Sequence, residues 1–414
     1  MFLYYIYILF TPFFYFIYIA SIFNSKVRSN LFLYKKTLND VYHKLNKNSK
    51  TVILFHAASA GEFEQLKPIL TRIDRKKFFI VQSFTSSTIY NSNAYQKYVD
   101  VACYQPFDFL FGTSNFFFKT IQPHYYIVTR HDIWPKHIFI ANKLGIKIFY
   151  INANLHKNSI WLQPYMKNLS RLIFNKISLI TVPSKKIKNN ITYLVDESKI
   201  QILIDTRFQQ IYDRFLINKD KDFLSNKILA TNNIIFGSID RSDENIIFDA
   251  LKRRYPNGMI DLEKNNENLI IVPHEVNDNV IKRLISKLEK QNFQYNLYTD
   301  KSLSNNVLII NHVGILADLY KYAKLAYVGG GFNRGVHSVI EPAMYNCIIS
   351  FGPNIEMLDE AQQLHENKIG YLIKNTDSML HFFDTLDKYN KHVSSREFIL
   401  QHKNSIQTLL NYIK

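Results

Sequence analysis

Residues 327–353, YVGGGFNRGVHSVIEPAMYNCIISFGP, constrain the fold more than any other part of the chain. A short apolar strand is expected at 325–328. It breaks at Gly329, Gly330 and Gly331, and a loop carrying Asn333, Arg334 and His337 follows. A helix is expected to start at Ser338, and a second buried strand, 347–351, to end at Gly352-Pro353. That order of strand, glycine loop, helix and strand is the unit of a doubly wound α/β domain. Three glycines let backbone amides approach a ligand closely, and a helix amino terminus offers unpaired N–H groups with a partial positive charge. Phosphate binding is one use of such a place. The other is local: Ser338-x-x-Glu341 has the spacing of a capping box, in which Glu341 closes its own helix start.

A chain of 414 residues with 47% hydrophobic content can bury a large core, and its length suggests two domains. The 51 Lys+Arg exceed the 34 Asp+Glu by 17, which favours anionic partners: a nucleotide, a phosphorylated lipid, a membrane surface or a nucleic acid. Cys103 and Cys347 are the only cysteines, so neither a disulfide framework nor a thiolate metal cluster is available. Residues 1–25 carry no charged side chain. As a helix, 1–23 would reach about 34 Å, enough to cross a hydrocarbon core of about 30 Å. A signal peptide would place its cations before the apolar run, whereas Lys26, Arg28, Lys35 and Lys36 come after it. The positive-inside rule then puts the remainder in the cytoplasm. Whether this segment spans the bilayer or lies in its interface stays open. Residues 26–50 read as a basic linker.

The first domain is expected over 51–212. Residues 51–55 form a buried strand, and His56-Ala-Ala-Ser59-Ala-Gly61-Glu62 turns into an amphipathic helix, 62–73. The small residues leave open space above the strand's carboxyl end, suited to a carboxylate acting as a general base. A carboxylate in a first helical turn also complements the helix dipole by about 0.3–1 kcal/mol. Strands follow at 78–82, with the hydroxyl-rich loop 83–88 after it, then at 125–128, 147–152 and 178–183. Arg207 sits in a loop after a strand at 201–204, either as a functional cation beside a cleft or as a solvated charge. Residues 213–231 read as the interdomain linker. The second domain, 232–395, opens with a strand at 234–236, and Ser238 after it can bond a phosphate or cap a helix. Strands at 269–272 and 307–310 precede the organising stretch, and 396–414 should be a basic C-terminal helix. His274-Glu275 is not a zinc motif, since no second His lies four residues on.

Two of these motifs carry a resemblance. GGGxxRGxHxxxEPA…FGP and HxxSxGE resemble the signatures of the 3-deoxy-D-manno-octulosonic acid (Kdo) transferases, which place Kdo on lipid A. The resemblance, to a Bacteroidetes-like branch of that family, covers roughly residues 1–375 and is closest at 56–62 and 327–364. It implies an α/β fold of two Rossmann-like domains facing a cleft, the GT-B type of glycosyltransferase, with an N-terminal membrane-anchoring helix. Glu62 would then be the general base on the acceptor hydroxyl. Ser59, Gly61, Ser83 and Thr85 would face the acceptor. Arg207, in a D-T-R-F motif, would stabilise the transition state. Ser238, His274, Glu275, Val313, Gly314, Gly330, Gly331, His337, Ser338, Val339, Ile340 and Glu341 would hold CMP-Kdo, Glu341 through the ribose. Many members carry E-T-E-L-W-P where this chain has Arg130 to Pro135. A cation stands at the first glutamate's place, so Arg130 would have a supporting role other than proton transfer. Asn154 likewise replaces an arginine.

The resemblance implies an inverting transfer of Kdo from CMP-Kdo to a lipid A precursor (lipid IVA) at the cytoplasmic face of the inner membrane. No metal or cofactor is expected; nor is nucleic acid, because the lysines are spread along the chain rather than gathered in a patch. A lipid disaccharide synthase or another enzyme with a different nucleotide-sugar is the alternative in the same architecture. A non-catalytic basic protein on membrane or nucleic acid is the alternative in another class. Sequence does not fix the oligomeric state, the number of Kdo units or the acyl pattern.

Overall fold

A computed structural model describes residues 7, 25–108, 112–130, 132–222, 224, 232–300, 304–386, 395–400 and 405–413. The chain divides into two compact units, one of 1–210 with 404–414 and the other of 211–403. Each is built on a seven-stranded parallel sheet.

In the first unit the strands are β1 (Thr51–Ala57), β2 (Phe78–Phe84), β3 (Val101–Tyr104), β4 (Tyr125–Thr129), β5 (Lys147–Ile151), β6 (Leu179–Val182) and β7 (Ile200–Ile202). Their order across the sheet is β3-β2-β1-β4-β5-β6-β7. These segments are unbroken apolar runs because parallel strands with helices on both faces have no solvent side. Val52, Leu54, Tyr126, Val128, Ile148 and Tyr150 point into one core, while Ile53, Phe55, Tyr125, Ile127, Phe149 and Ile151 point into the other. The strand order reverses between β1 and β4, and the crevice beyond the carboxyl ends at such a reversal is where doubly wound sheets bind ligands.

The second unit holds β8 (Asn232–Ile239), β9 (Glu267–Pro273), β10 (Tyr295–Leu297), β11 (Val307–Ile309), β12 (Ala323–Val328), β13 (Ile348–Phe351) and β14 (Gly370–Leu372). The order is β10-β11-β9-β8-β12-β13-β14, so its reversal lies between β8 and β12.

Three expectations are corrected here. The basic linker at 26–50 is largely a helix, α1 (Ser25–Leu45). Tyr34, Thr37, Leu38 and Val41 form a buried stripe at helical spacing, and the Thr37 hydroxyl accepts from Tyr104 N at 3.1 Å. The intervening lysines hid that stripe. The start of the expected interdomain linker, 213–218, is likewise helical, inside α2 (Thr206–Asn218). Finally, the expected C-terminal helix is two short ones, Ser395–Leu400 and Ser405–Leu410; Leu409 and Ile413 join the core of the first unit beside Phe63 and Leu66. Nearly all of the expected membrane anchor, 1–25, lies outside the described residues. Among the described residues no helix is long and apolar enough to cross a membrane.

Candidate active site

At the end of β1 the chain turns through Ala58 and Ser59 into a helix, Ala60–Leu70. Ser59 is its N-cap: the Ser59 hydroxyl accepts from Glu62 N at 3.3 Å, and Glu62 Oε2 accepts from Ser59 N at 3.1 Å and Ala58 N at 2.7 Å. This is a complete capping box. It uses one carboxylate oxygen, and Oε1 accepts no hydrogen bond among the described residues. Glu62 is only 9% exposed. Burial pushes its pKa above the usual carboxylate value and the nearby Asp132 charge adds to this, against His56 and the two amide bonds. A carboxylate fixed through one oxygen, free at the other and made more basic is what proton abstraction requires. Helix capping and base chemistry therefore do not compete at Glu62. At Gly61, in the first helical turn, a Cβ would meet only the Ser59 hydroxyl, at 4.0 Å.

Asp132, from the loop after β4, is part of the same cluster and went unnoticed in sequence. Its Oδ2 pairs closely with His56 Nε2, and its Oδ1 accepts from Trp134 Nε1 at 2.6 Å. Burial alone would raise the Asp132 pKa, but His56 and the indole outweigh it and hold the carboxyl low. His56 Nδ1 lies 2.9 Å from the Ser83 hydroxyl. Ser83 is thus a fully buried support rather than an acceptor contact. Thr85, just past the end of β2, is half-buried, its carbonyl 3.4 Å from Asn30 Nδ2.

Arg130 and Arg207 come together on one carboxylate. Asp205 Oδ2 is 3.0 Å from Arg207 Nε and 3.7 Å from Arg130 Nη2. Two guanidiniums against one buried carboxylate leave a net positive charge, and they hold the Asp205 pKa low despite its burial. Arg207 stands in the first turn of α2 with a side chain only 16% exposed, which excludes the reading of a solvated loop charge. Arg130 adopts a left-handed backbone at φ 59°, strain of the kind that collects at functional sites. Buried Tyr150, at the end of β5, senses both Glu62 and Arg130, so the base and the cation cluster share one neighbourhood.

In the second domain a cavity of about 730 Å³ opens at the reversal between β8 and β12. His274, Glu275, Gly330 and His337 line it, together with Asp240, Arg241, Arg283, Asn333 and Arg334. The rings of His274 and His337 stack 4.3 Å apart at 15°. Burial, then the neighbouring His274, lowers the His337 pKa. Ser238, left-handed at φ 55°, sits 3.0 Å from His274 Nδ1; the cap of the following helix (Arg241–Arg254) is Asp240, not Ser238. Gly330 needs its freedom: φ is 87°, and a Cβ there would meet Gly335 O at 2.7 Å. Gly331 presses backbone to backbone against Gly352, where a Cβ would come within 2.6 Å. Asp243 anchors the loop from beneath: its oxygens accept from Tyr327 Oη at 2.7 Å, Gly330 N at 3.0 Å and Asp240 N at 2.9 Å.

The expected helix at Ser338 is corrected. The observed helix is five residues, Ile340–Met344, with Val339 at its N-cap position and no side-chain cap. The capping box at 338–341 does not form, and proline is the reason. A helix capped at Ser338 would make its first intrahelical bond from residue 342 to the Ser338 carbonyl, and Pro342 has no N–H. The first such bond runs from Ala343 N to Val339 O at 3.3 Å. Val339 and Ile340 have fully buried side chains, and Glu341 is half-buried. Gly314 is left-handed at φ 90°, its carbonyl accepting from Arg214 Nη2 at 3.0 Å, beside exposed Val313. Among the described residues no three His, Cys, Asp or Glu side chains gather as metal ligands.

Residues 29–210 match the family model of the 3-deoxy-D-manno-octulosonic-acid transferase (kdotransferase). The 3-deoxy-D-manno-octulosonic acid transferase of Chlamydia muridarum is 28% identical over 338 residues, 78% of this chain and 75% of that protein. That of Aquifex aeolicus is 23% identical over 85% of this chain and 90% of its own length. The chain is a glycosyltransferase homologous to the Kdo transferases. Solved structures agree on the fold: a glycosyltransferase from Rickettsia africae superposes with a TM-score of 0.59 at 12% identity, covering 88% of this chain and 98% of that one. A UDP-GlcNAc 2-epimerase from Methanocaldococcus jannaschii reaches 0.61 at 16% identity, covering 88% and 99%. Both support two doubly wound domains, a fold that this homologue of the Kdo transferases shares with enzymes of other chemistry.

Proposed function

We propose that this chain moves Kdo from CMP-Kdo to a lipid A precursor with inversion at the anomeric carbon. The observation that carries the reading is Glu62: a buried carboxylate of raised pKa, held through one oxygen at a sheet reversal, its other oxygen free. An acceptor hydroxyl attacks the anomeric carbon, the bond from that carbon to the CMP phosphate breaks, and the hydroxyl proton passes to Glu62 Oε1. CMP leaves as the anion. A phosphate leaving group needs no general acid, so one base suffices. The Arg130–Asp205–Arg207 cluster, with its net positive charge, supplies electrostatic stabilisation to the anionic sugar or its departing phosphate. In the second domain the His274–His337 stack and the Gly330 loop hold the nucleotide, with Glu341 on its ribose. The excess of 17 positive charges suits an acidic bilayer, and residues 1–25 attach the enzyme to it at the cytoplasmic face.

The test is incubation with CMP-Kdo and a tetraacyl lipid A precursor, read by mass. Glu62→Gln should cost about 10²–10⁴ in rate while CMP still binds. Wild-type turnover by that variant would leave Glu62 as a cap alone, and turnover with a UDP-sugar in place of CMP-Kdo would point to a lipid disaccharide synthase. Deleting residues 1–25 should release the enzyme from vesicles at high salt, and unchanged sedimentation would assign attachment to the basic surface instead.

A further inference from the structure

The hydrogen bonds beneath Glu62 form a chain whose protons can be counted. Tyr126 Oη is fully buried, and its one partner among the described residues is Gln105 Oε1, at 3.2 Å. A buried O–H requires an acceptor, so Gln105 must present its carbonyl oxygen and not its amide nitrogen. Ser83 Oγ lies 3.1 Å from the same Gln105 Oε1 and 3.3 Å from Phe55 O, both acceptors. Two oxygens this close repel unless a proton lies between them, which favours the single Ser83 hydroxyl proton on one of them over His56 Nδ1, 2.9 Å away. Ser83 then turns a lone pair to His56, and Nδ1 carries the hydrogen. The other ring nitrogen, Nε2, faces the Asp132 carboxylate, whose second oxygen already accepts from the Trp134 indole. A proton is needed there too.

We infer that His56 and Asp132 together hold two ring protons and form a buried pair of zero net charge, an imidazolium against a carboxylate, and that this pair is a positioning element for Glu62. The inference rests on the reading of Glu62 as the base. A singly protonated ring would leave the Asp132 charge uncompensated beside Glu62, and two adjacent carboxylates resist simultaneous ionisation. With His56 charged, Glu62 meets a balanced pair, and burial rather than an uncompensated neighbouring charge is what opposes its ionisation. The other charged or titratable groups around the pair are Asp108, Lys136 and His137, with Tyr126 on β4, and Tyr150 and Arg130 near Glu62. His137 is fully buried with its pKa pushed down to about 4, so it adds no charge at neutral pH.

The two protonation states make opposite forecasts for two variants. If the pair is neutral, His56→Gln strands the Asp132 charge next to Glu62, and the acid limb of the kcat–pH profile moves up by about one unit. Asp132→Asn lets the ring shed a proton, the net charge stays zero, and the limb stays within about 0.3 unit whatever happens to the plateau rate. If the ring is singly protonated, Asp132→Asn lowers the limb and His56→Gln leaves it alone, and that pattern overturns the inference. Nitrogen-15 NMR of the wild-type full chain labelled in its histidine rings decides independently. Both His56 nitrogens should carry a proton at pH 7, and one unprotonated nitrogen overturns the proposal even if the variants do not fold. A doubly protonated ring together with an active Glu62→Gln would sustain the pair and sink only the reading of Glu62.

Discussion

Replacing Asp243 with alanine asks whether the glycine loop of the second domain holds its own shape or is held from below. Asp243 is fully buried and accepts three hydrogen bonds: from the Tyr327 hydroxyl, from Gly330 N in the loop and from Asp240 N at the helix start. Alanine leaves all three donors buried without an acceptor. Each costs about 1–3 kcal/mol, so the sum lies at about 3–9 kcal/mol. Part of that is returned, because burial already disfavours the Asp243 carboxylate and raises its pKa. The expected loss is about 3–5 kcal/mol, a large fraction of a domain's stability. Asparagine behaves differently. Its amide oxygen can serve Gly330 N and Asp240 N while its nitrogen donates to Tyr327 Oη, so only the tyrosine proton loses a partner, at about 1–2 kcal/mol. Tryptophan fluorescence would report the wrong unit, since Trp134 and Trp161 both belong to the first. Hydrogen exchange of the β12 amides reads the second unit by itself. Exchange through global opening should speed up about a hundred- to several-thousandfold in Asp243→Ala and about five- to thirtyfold in Asp243→Asn. Exchange within threefold of wild type in the alanine variant would refute the reasoning, and the loop would then be self-supporting.

Gly331→Ala should abolish CMP binding, because its Cβ would meet Gly352 backbone at 2.6 Å and neither loop can yield without reshaping the pocket; calorimetric affinity within twofold of wild type would contradict this. Glu62 carries a raised pKa in the fold, so the native state keeps that proton to higher pH than the unfolded chain. Its contribution to stability is therefore fullest below the unfolded value of 4.5 and declines as pH rises through the folded pKa. The thermal midpoint of Glu62→Gln relative to wild type should accordingly climb with pH above 4.5, and a pH-independent difference would count against the shift. Ser338 caps nothing, so Ser338→Ala should leave the melting temperature within about 1 °C, where loss of a working cap would cost about 1 kcal/mol and several degrees. Glu341→Gln should weaken CMP-Kdo binding roughly tenfold or more if it holds the ribose; unchanged affinity would leave the nucleotide to the glycine loop and the histidine stack.

Buried strands were legible because parallel strands between helices are apolar on every residue, and 51–55, 125–128 and 269–272 have no other reading. The turn at His56–Glu62 and the glycine loop were legible as well, since small residues mark places where backbone must come close to something. Helix α1 was not, because four of its inward side chains are spaced among lysines and no local rule weighs a stripe above a charge. Partnerships distant in sequence were invisible for a simpler reason. His56 meets Asp132 across 76 positions and Asp243 reaches Gly330 across 87, so neither pairing leaves a local trace.

The two Ser-x-x-Glu segments set the limit of such reading most sharply, because one spacing gave two outcomes. At 59–62 the box closes, and at 338–341 it does not. The difference is one residue further on. Phe63 N reaches Ser59 O at 3.1 Å and makes the first bond of its helix, whereas Pro342, in the equivalent place, has no hydrogen to give. That signal was present in the sequence all along, one position beyond the motif. The consequence is functional as well as structural. Where the box closes, it consumes one oxygen of Glu62 and orients the other. Where it fails, Ser338 caps no helix, and Val339 stands at the N-cap position without a side-chain cap.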